Sequence, residues 1–244
     1  MMLTARDLHI FHLLNEFGVL ESNTLSRVIS PASAHKTVSA RLLALKKQGY
    51  LKEVGAKERM RRKNIIYSLN TNKDILKRIY LESGVQYYPR YYNLSYSMLN
   101  HQIYLGKLLA YIITELQKRN IQVDISKIKG SKTIQKLITI EQDNPRTSYE
   151  YLEYTVIPDA TIEIGDALYC FELENTNSYS QAEEKIIKYN QLQLRKDNKN
   201  FFPLFHGKKL VLVVGCWEYK KERYEEILKT NFTRKSIIFS IENL

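Results

Sequence analysis

The sequence predicts an α/β (α+β) chain in two parts, and three observations predict it. Residues 1–72 read as short helical patterns followed by two strand-like runs. Residues from about 95 to the end alternate helix and strand. Of the 244 residues, 44% are hydrophobic, which is enough for two packed cores and too many for a disordered chain.

The first helix starts at Thr4, an N-cap residue type, with Asp7 three positions on as in a capping box. Leu8, Ile10, Phe11, Leu13 and Leu14 form its apolar stripe, and Gly18 ends it. A second helix follows Asn23-Thr24 with Leu25, Val28 and Ile29 inward, and Ser30-Pro31 breaks it. A third runs over 34–48 with Val38, Leu42, Leu43 and Leu45 inward and Gly49 past its end. The runs 50–54 and 65–69 then read as a hairpin around a loop at 55–63. Three helices and a hairpin in this order predict a winged helix-turn-helix, whose third helix enters the major groove. Residues 73–94 read as a helical connector, and 95–244 as a second domain. That domain opens with an amphipathic helix over 97–119. Strands are expected near 121–128, 133–140, 154–157, 160–164, 168–173, 209–214 and 236–241. Helices are expected over 180–195 and 219–229, giving a mixed sheet flanked by helices.

Charge points to the partner. The chain holds 37 Lys and Arg against 26 Asp and Glu, a net charge of +11 that suits a polyanion. Within residues 1–75 basic residues outnumber acidic ones by about two to one. Lys36, Arg41, Lys46 and Lys47 fall on the third helix, with His35 and Thr37 near its start, where base edges are met. Arg59, Arg61, Arg62 and Lys63 fill the hairpin loop, where a wing lies over phosphates. The expected DNA contacts are therefore His35, Lys36, Thr37, Arg41, Arg59, Arg61, Arg62 and Lys63. No apolar run nears the ~20 residues of a membrane span, so no membrane insertion is expected. With no signal-peptide layout at the start, a cytoplasmic protein is expected. Cys170 and Cys216 lie in apolar runs and read as buried free thiols, too few for a zinc site.

Carboxylates point to a chemistry. Pro158-Asp159 precedes one strand, and Glu172 and Glu174 stand two apart on the next, so both face the same way. A hairpin turning at Gly165-Asp166 brings Asp159, Glu172 and Glu174 together, with Glu163 between them and Asp166 in the turn. Three clustered carboxylates repel unless a cation sits among them, and hard oxygen ligands select Mg²⁺ or Mn²⁺. Lys185 and Lys188 on the following helix each suit a water-orienting or phosphate-neutralising role. A Glu-x-Glu pair also fits a plain solvent face; Pro158-Asp159 and the strand–strand–helix order favour the metal site. An ammonium fixed among these oxygens points the other way, to a protein that grips DNA without cutting it.

Pro158-Asp159 with Glu172-Leu173-Glu174 resembles the PD-(D/E)xK nuclease signature, with Glu174 where that signature has Lys. The wider layout is similar to the replication-relaxation family, which includes MobC-class plasmid relaxases. The similarity runs through Leu3-Thr4-Ala5-Arg6-Asp7, Ala40–Leu45, Asn100-His101-Gln102 and the run from Pro158 to Tyr189. It implies a restriction-endonuclease-like second domain and metal-dependent nicking of double-stranded DNA at a transfer origin. Asp159, Glu172 and Glu174 are then metal ligands and Lys185 the displaced motif lysine, with other relaxosome or replication proteins as partners. The alternative is a non-catalytic replication or relaxosome accessory, or a regulator at an operator. The His-hydrophobe-His cluster of other relaxases is absent from the sequence.

Overall fold

A computed structural model describes residues 2–30, 35–55, 64–89, 95–140, 156–174, 178–194 and 207–243. The chain divides into two compact units, Met1–Ser126 and Lys127–Leu244. Both mix helices with a sheet, the α/β class expected.

In the first unit, Thr4 and Asp7 close the expected capping box. The Thr4 N–H donates to Asp7 Oδ2 at 2.7 Å, and the Asp7 N–H donates to Thr4 Oγ1 at 3.4 Å. Helix α1 (Ala5–Phe17) then runs to Gly18, whose φ of 75° only glycine adopts cheaply. Strand β1 (Val19–Glu21) follows, then α2 (Ser22–Ile29), α3 (His35–Lys47), β2 (Leu51–Val54) and β3 (Ile66–Leu69). The strands form an antiparallel sheet in the order β1–β3–β2, with Leu20 opposite Tyr67 and Glu53 opposite Tyr67 on the other edge. β1 has only three residues, all buried, too few to show a period in the sequence. On α3, Val38, Leu42 and Leu45 are buried at i, i+4, i+7. Leu43 was expected inward and is 46% exposed, because it lies 100° around the helix from Leu42.

Asn72 caps α4 (Lys73–Ser83) by accepting from the Asp74 N–H at 2.8 Å. Tyr87, beyond α4, packs edge-on to Phe11 and donates to the Leu8 carbonyl at 3.2 Å, so the connector docks on α1. Helix α5 (Tyr96–Lys118) lies against α2 and β1, burying Leu99, Ile103, Leu105 and Leu109. The pattern places this helix at the start of the second domain; in the structure its apolar side closes over α2 and β1, and the first unit runs to Ser126. Gly106 permits the approach, since a Cβ there would meet Leu20 Cδ2 at 2.5 Å and Thr24 Cγ2 at 3.3 Å. Gly106→Val should therefore cost about 1–3 kcal/mol of overpacking, only partly offset by better helix propensity. Urea denaturation checks this, and a neutral result would remove the close contact as a constraint.

The second unit carries a five-stranded sheet in the order β4–β5–β6–β7–β8. β4 (Ile128–Gly130), β5 (Ala160–Ile164) and β6 (Ala167–Glu174) pair antiparallel; β7 (Lys209–Cys216) and β8 (Lys235–Ser240) continue in parallel. Between β4 and β5 lies α6 (Ser131–Ile140), where a strand was expected over 133–140. Thr and Ile suggested a strand there, but Ile134, Leu137 and Ile138 keep the i, i+3, i+4 spacing of a helix. Of the strand expected at 154–157, the first two residues lie outside the described residues, and Val156 and Ile157 are not in a strand. Helices α7 (Tyr179–Leu194) and α8 (Glu218–Asn231) are the parallel crossovers. Leu168, Cys170, Leu212, Val214 and Cys216 of the sheet share one core with Ala182, Ile186, Tyr189, Tyr224 and Ile227 of these helices. Both cysteines are buried free thiols.

Candidate functional site

The β5–β6 hairpin turns at Gly165-Asp166, with Ile164 opposite Ala167 and Ala160 opposite Phe171. This register sets Asp159, just before β5, beside Glu172. The Asp159 N–H donates to the Phe171 carbonyl at 3.0 Å, and the Leu173 N–H donates to Asp159 Oδ2 at 2.8 Å. The Asp159 carbonyl accepts from the Ser131 N–H at 3.0 Å, which ties the start of α6 to the same point. Glu172 and Glu174 follow Cys170 at alternate positions and so share the sheet face that α7 and α8 cover. Glu174 ends β6, placing the group at the carboxyl end of the parallel β6–β7 pair, where open α/β sheets bind ligands.

Glu172 is 3% exposed, and α7 meets both of its oxygens. The Lys185 ammonium pairs with Oε2, and the Tyr189 hydroxyl donates to Oε1. Lys185 and Tyr189 stand one turn apart, so one helix face supplies both donors. Burial pushes the Glu172 carboxyl up to about 8; Lys185 opposes the rise and the Asp159 charge adds to it. Burial alone would lower the Lys185 ammonium, but Glu172, Asp159 and Glu174 outweigh it and hold the group charged, above its ordinary value. The fields of all three expected carboxylates thus meet at one lysine. Glu174 also accepts from the Tyr224 hydroxyl at 3.4 Å, and burial with that charge raises the Tyr224 phenol. Tyr189 and Tyr224 were not singled out in the sequence; the spacing of Tyr189 four residues after Lys185 was the available signal.

Two other acidic residues point elsewhere. Glu163 was read as lying between the three carboxylates, but it pairs with Lys127 at 3.1 Å and with Lys208 near the turn end of β5. Lys208 first, and Lys127 with it, hold its carboxyl below the usual range against a modest effect of burial. Asp166 pairs with Lys209 at 2.8 Å. Lys188 pairs with Glu184 at 2.8 Å, and both line a cleft of about 190 Å³ together with Val156, Ile157, Gln181 and Lys185. The Lys185 ammonium therefore turns inward to Glu172, while the residue also borders an open cleft.

The donor set fits a hard divalent cation in kind, because Asp159, Glu172 and Glu174 offer only carboxylate oxygens. The positive charge these groups require is supplied by Lys185. Among the described residues no three acidic, His or Cys side chains are grouped as a ready metal cage.

In the first unit the expected DNA contacts divide. Thr37 is exposed, on a face of α3 that also carries Ser39, Ala40, Leu43 and Lys47. Arg41 is committed within the unit: Nε donates to Asp7 Oδ1 at 2.7 Å, and Nη2 bonds Asp7 Oδ2 and, at 3.3 Å, the Met2 carbonyl. It ties α3 to the capped start of α1. His35 and Lys36 belong to α3, but their side chains lie outside what the structure describes. Arg59, Arg61, Arg62 and Lys63 lie outside the described residues. No helix among the described residues is long and apolar enough to cross a membrane. No protein-family model matches the chain, and no curated protein is similar to it.

Proposed function

We propose that this chain binds duplex DNA through its first unit and nicks one strand through a Mg²⁺- or Mn²⁺-dependent centre in its second, as a relaxase of the replication-relaxation type. The observation that carries the reading is the register that sets Asp159 beside Glu172, with Glu174 two residues on, at the carboxyl end of the parallel β6–β7 pair. Two further observations support DNA as the substrate. The order helix, strand, two helices, hairpin, with sheet order β1–β3–β2, suits a winged helix-turn-helix. The net charge of +11 suits a phosphate backbone.

Asp159, Glu172 and Glu174 would hold the cation, with Glu172 aimed by Tyr189 and Asp159 by the Leu173 N–H. The bound ion supplies Lewis acidity towards a phosphodiester and lowers the pKa of a bound water. Lys185 and Lys188 line the adjoining cleft, and either would donate to a phosphate oxygen once its ion pair with Glu172 or Glu184 is exchanged.

The test is the incubation of full-length protein with supercoiled plasmid carrying a candidate origin. With Mn²⁺ the expected product is the open circle, and EDTA abolishes it. A second reading, duplex binding without cutting, is favoured by the ammonium already paired with Glu172. It predicts a footprint that survives EDTA and no nick with any divalent metal.

A further inference from the structure

The outward side of α3 is built mainly of uncharged groups. Val38, Leu42 and Leu45 are buried, while Thr37, Ser39, Ala40, Leu43 and Lys47 are exposed. Ala40, Leu43 and Lys47 stand at i, i+3 and i+7 and so form one stripe, with Ser39 and Thr37 on its two flanks. Leu43, at the middle of that stripe, is 46% exposed. Two basic side chains of the same helix are held within the unit, Arg41 by Asp7 and Lys46 by Glu53. Those pairs also neutralise both carboxylates. Positive charge remains on and beside the helix. Lys47, Arg27 in the last turn of α2 and Lys52 on β2 are exposed, and α2 and β2 both pack against α3.

We propose that this side of α3 reads thymine: Ala40, Leu43 and the Thr37 methyl pack on C5-methyl groups in the major groove, so that the first unit selects its sites by their T·A pairs. The proposal rests on the reading of the first unit as a duplex-binding winged helix. The major groove admits one helix and shows a distinct pattern at each base pair. Guanine is read there by two-pronged Arg or Lys contacts, and adenine by Asn or Gln. Helix α3 has no Asn or Gln, and its single Arg is committed to Asp7. The thymine methyl is the feature of the groove that apolar side chains match. Packing Leu43 against it removes apolar surface of both partners from water. Arg27, Lys47 and Lys52 then suit the phosphates, which add affinity without reading sequence.

The experiment is selection of bound sites by the full-length native protein, in EDTA to prevent cleavage, from a duplex pool with a randomised core of about two helical turns. Single thymines of the selected core are then replaced by deoxyuridine, which keeps the pairing edge and the O4 acceptor and lacks only the C5-methyl. At one or more T·A pairs the replacement should weaken binding about fourfold, the size of one buried methyl group. Leu43→Ala, at an exposed position that leaves the core intact, should weaken binding to the thymine site and lose the response to uracil at one of those pairs. Lys47→Ala is the contrast. It should weaken binding to all duplexes alike, lower the slope of affinity against salt by about one, and keep the full uracil penalty. A pool that is bound without enrichment of T·A pairs overturns the proposal, as does a selected core whose thymines are all replaceable at no cost. A folded Leu43→Ala variant with the native uracil penalty at every pair overturns it too. The DNA reading itself fails by a different result: no duplex is retained from the pool even at low salt, and the proposal falls with it.

Discussion

Arg41→Ala should destabilise the first unit by about 3–5 kcal/mol, the usual cost of stripping the partner from a buried charge. Asp7 is fully buried, and its carboxylate accepts two bonds from the Arg41 guanidinium and one from the Thr4 N–H. Removing Arg41 leaves that carboxylate with the cap alone. Arg41→Lys should recover only part of the loss, because an ammonium cannot reproduce the two-pronged contact. The pH dependence identifies the cause. Burial would raise the Asp7 carboxyl, but the Arg41 and Thr4 hydrogen bonds outweigh burial and hold it below its ordinary 3.8. A depressed carboxyl stabilises the fold fully above that ordinary value and loses the contribution as pH falls through its folded value. The deficit of Arg41→Ala in urea denaturation should therefore be largest near neutrality and shrink below about pH 4. A deficit that does not change with pH would assign the loss to packing of the arginine stem instead.

Asp159→Asn should lower Mn²⁺-dependent nicking by about 10²–10³-fold, as expected when several kcal/mol of metal-borne stabilisation are lost. Folding should be almost unaffected. The Leu173 N–H that donates to Asp159 Oδ2 at 2.8 Å finds an amide oxygen of the same shape in the variant. Asp159→Ala separates the two roles, since it leaves that N–H without its acceptor at a strand where Leu173 is buried. It should lose the same activity and a further 1–3 kcal/mol or so of stability. Plasmid nicking and urea denaturation measured on both variants decide the matter. Native rates in Asp159→Asn would exclude this carboxylate from the cutting chemistry.

The legible parts of the molecule were those written in local pattern. The Thr4–Asp7 cap, the ends at Gly18 and Gly49, the β2–β3 pair and the β5–β6–α7 order all follow from spacings of a few residues. β1 was too short to show a period, and β-branched residues gave α6 the look of a strand. The end of the first unit was missed because an amphipathic helix such as α5 shows which side is apolar but not what lies against it. Among candidate site residues, the three carboxylates and Lys185 could be grouped by alternation and order. Their partners could not. Tyr189 meets Glu172 only because α7 packs on that face of β6, and Arg41 meets Asp7 across 34 residues of chain. A basic residue on α3 looks the same in sequence whether it faces phosphate or a buried aspartate.

Asp159, Glu172, Glu174, Lys185 and Tyr189 are encoded in one unbroken stretch, from the residue before β5 to the middle of α7. A genetic crossover falling anywhere outside that stretch passes the set on whole. The basic N-terminal unit comes from a separate stretch, so a lineage can exchange it for another while keeping the acidic centre unaltered. On the function proposed here, shuffling of this kind would give new target sites to the same chemistry in a single step.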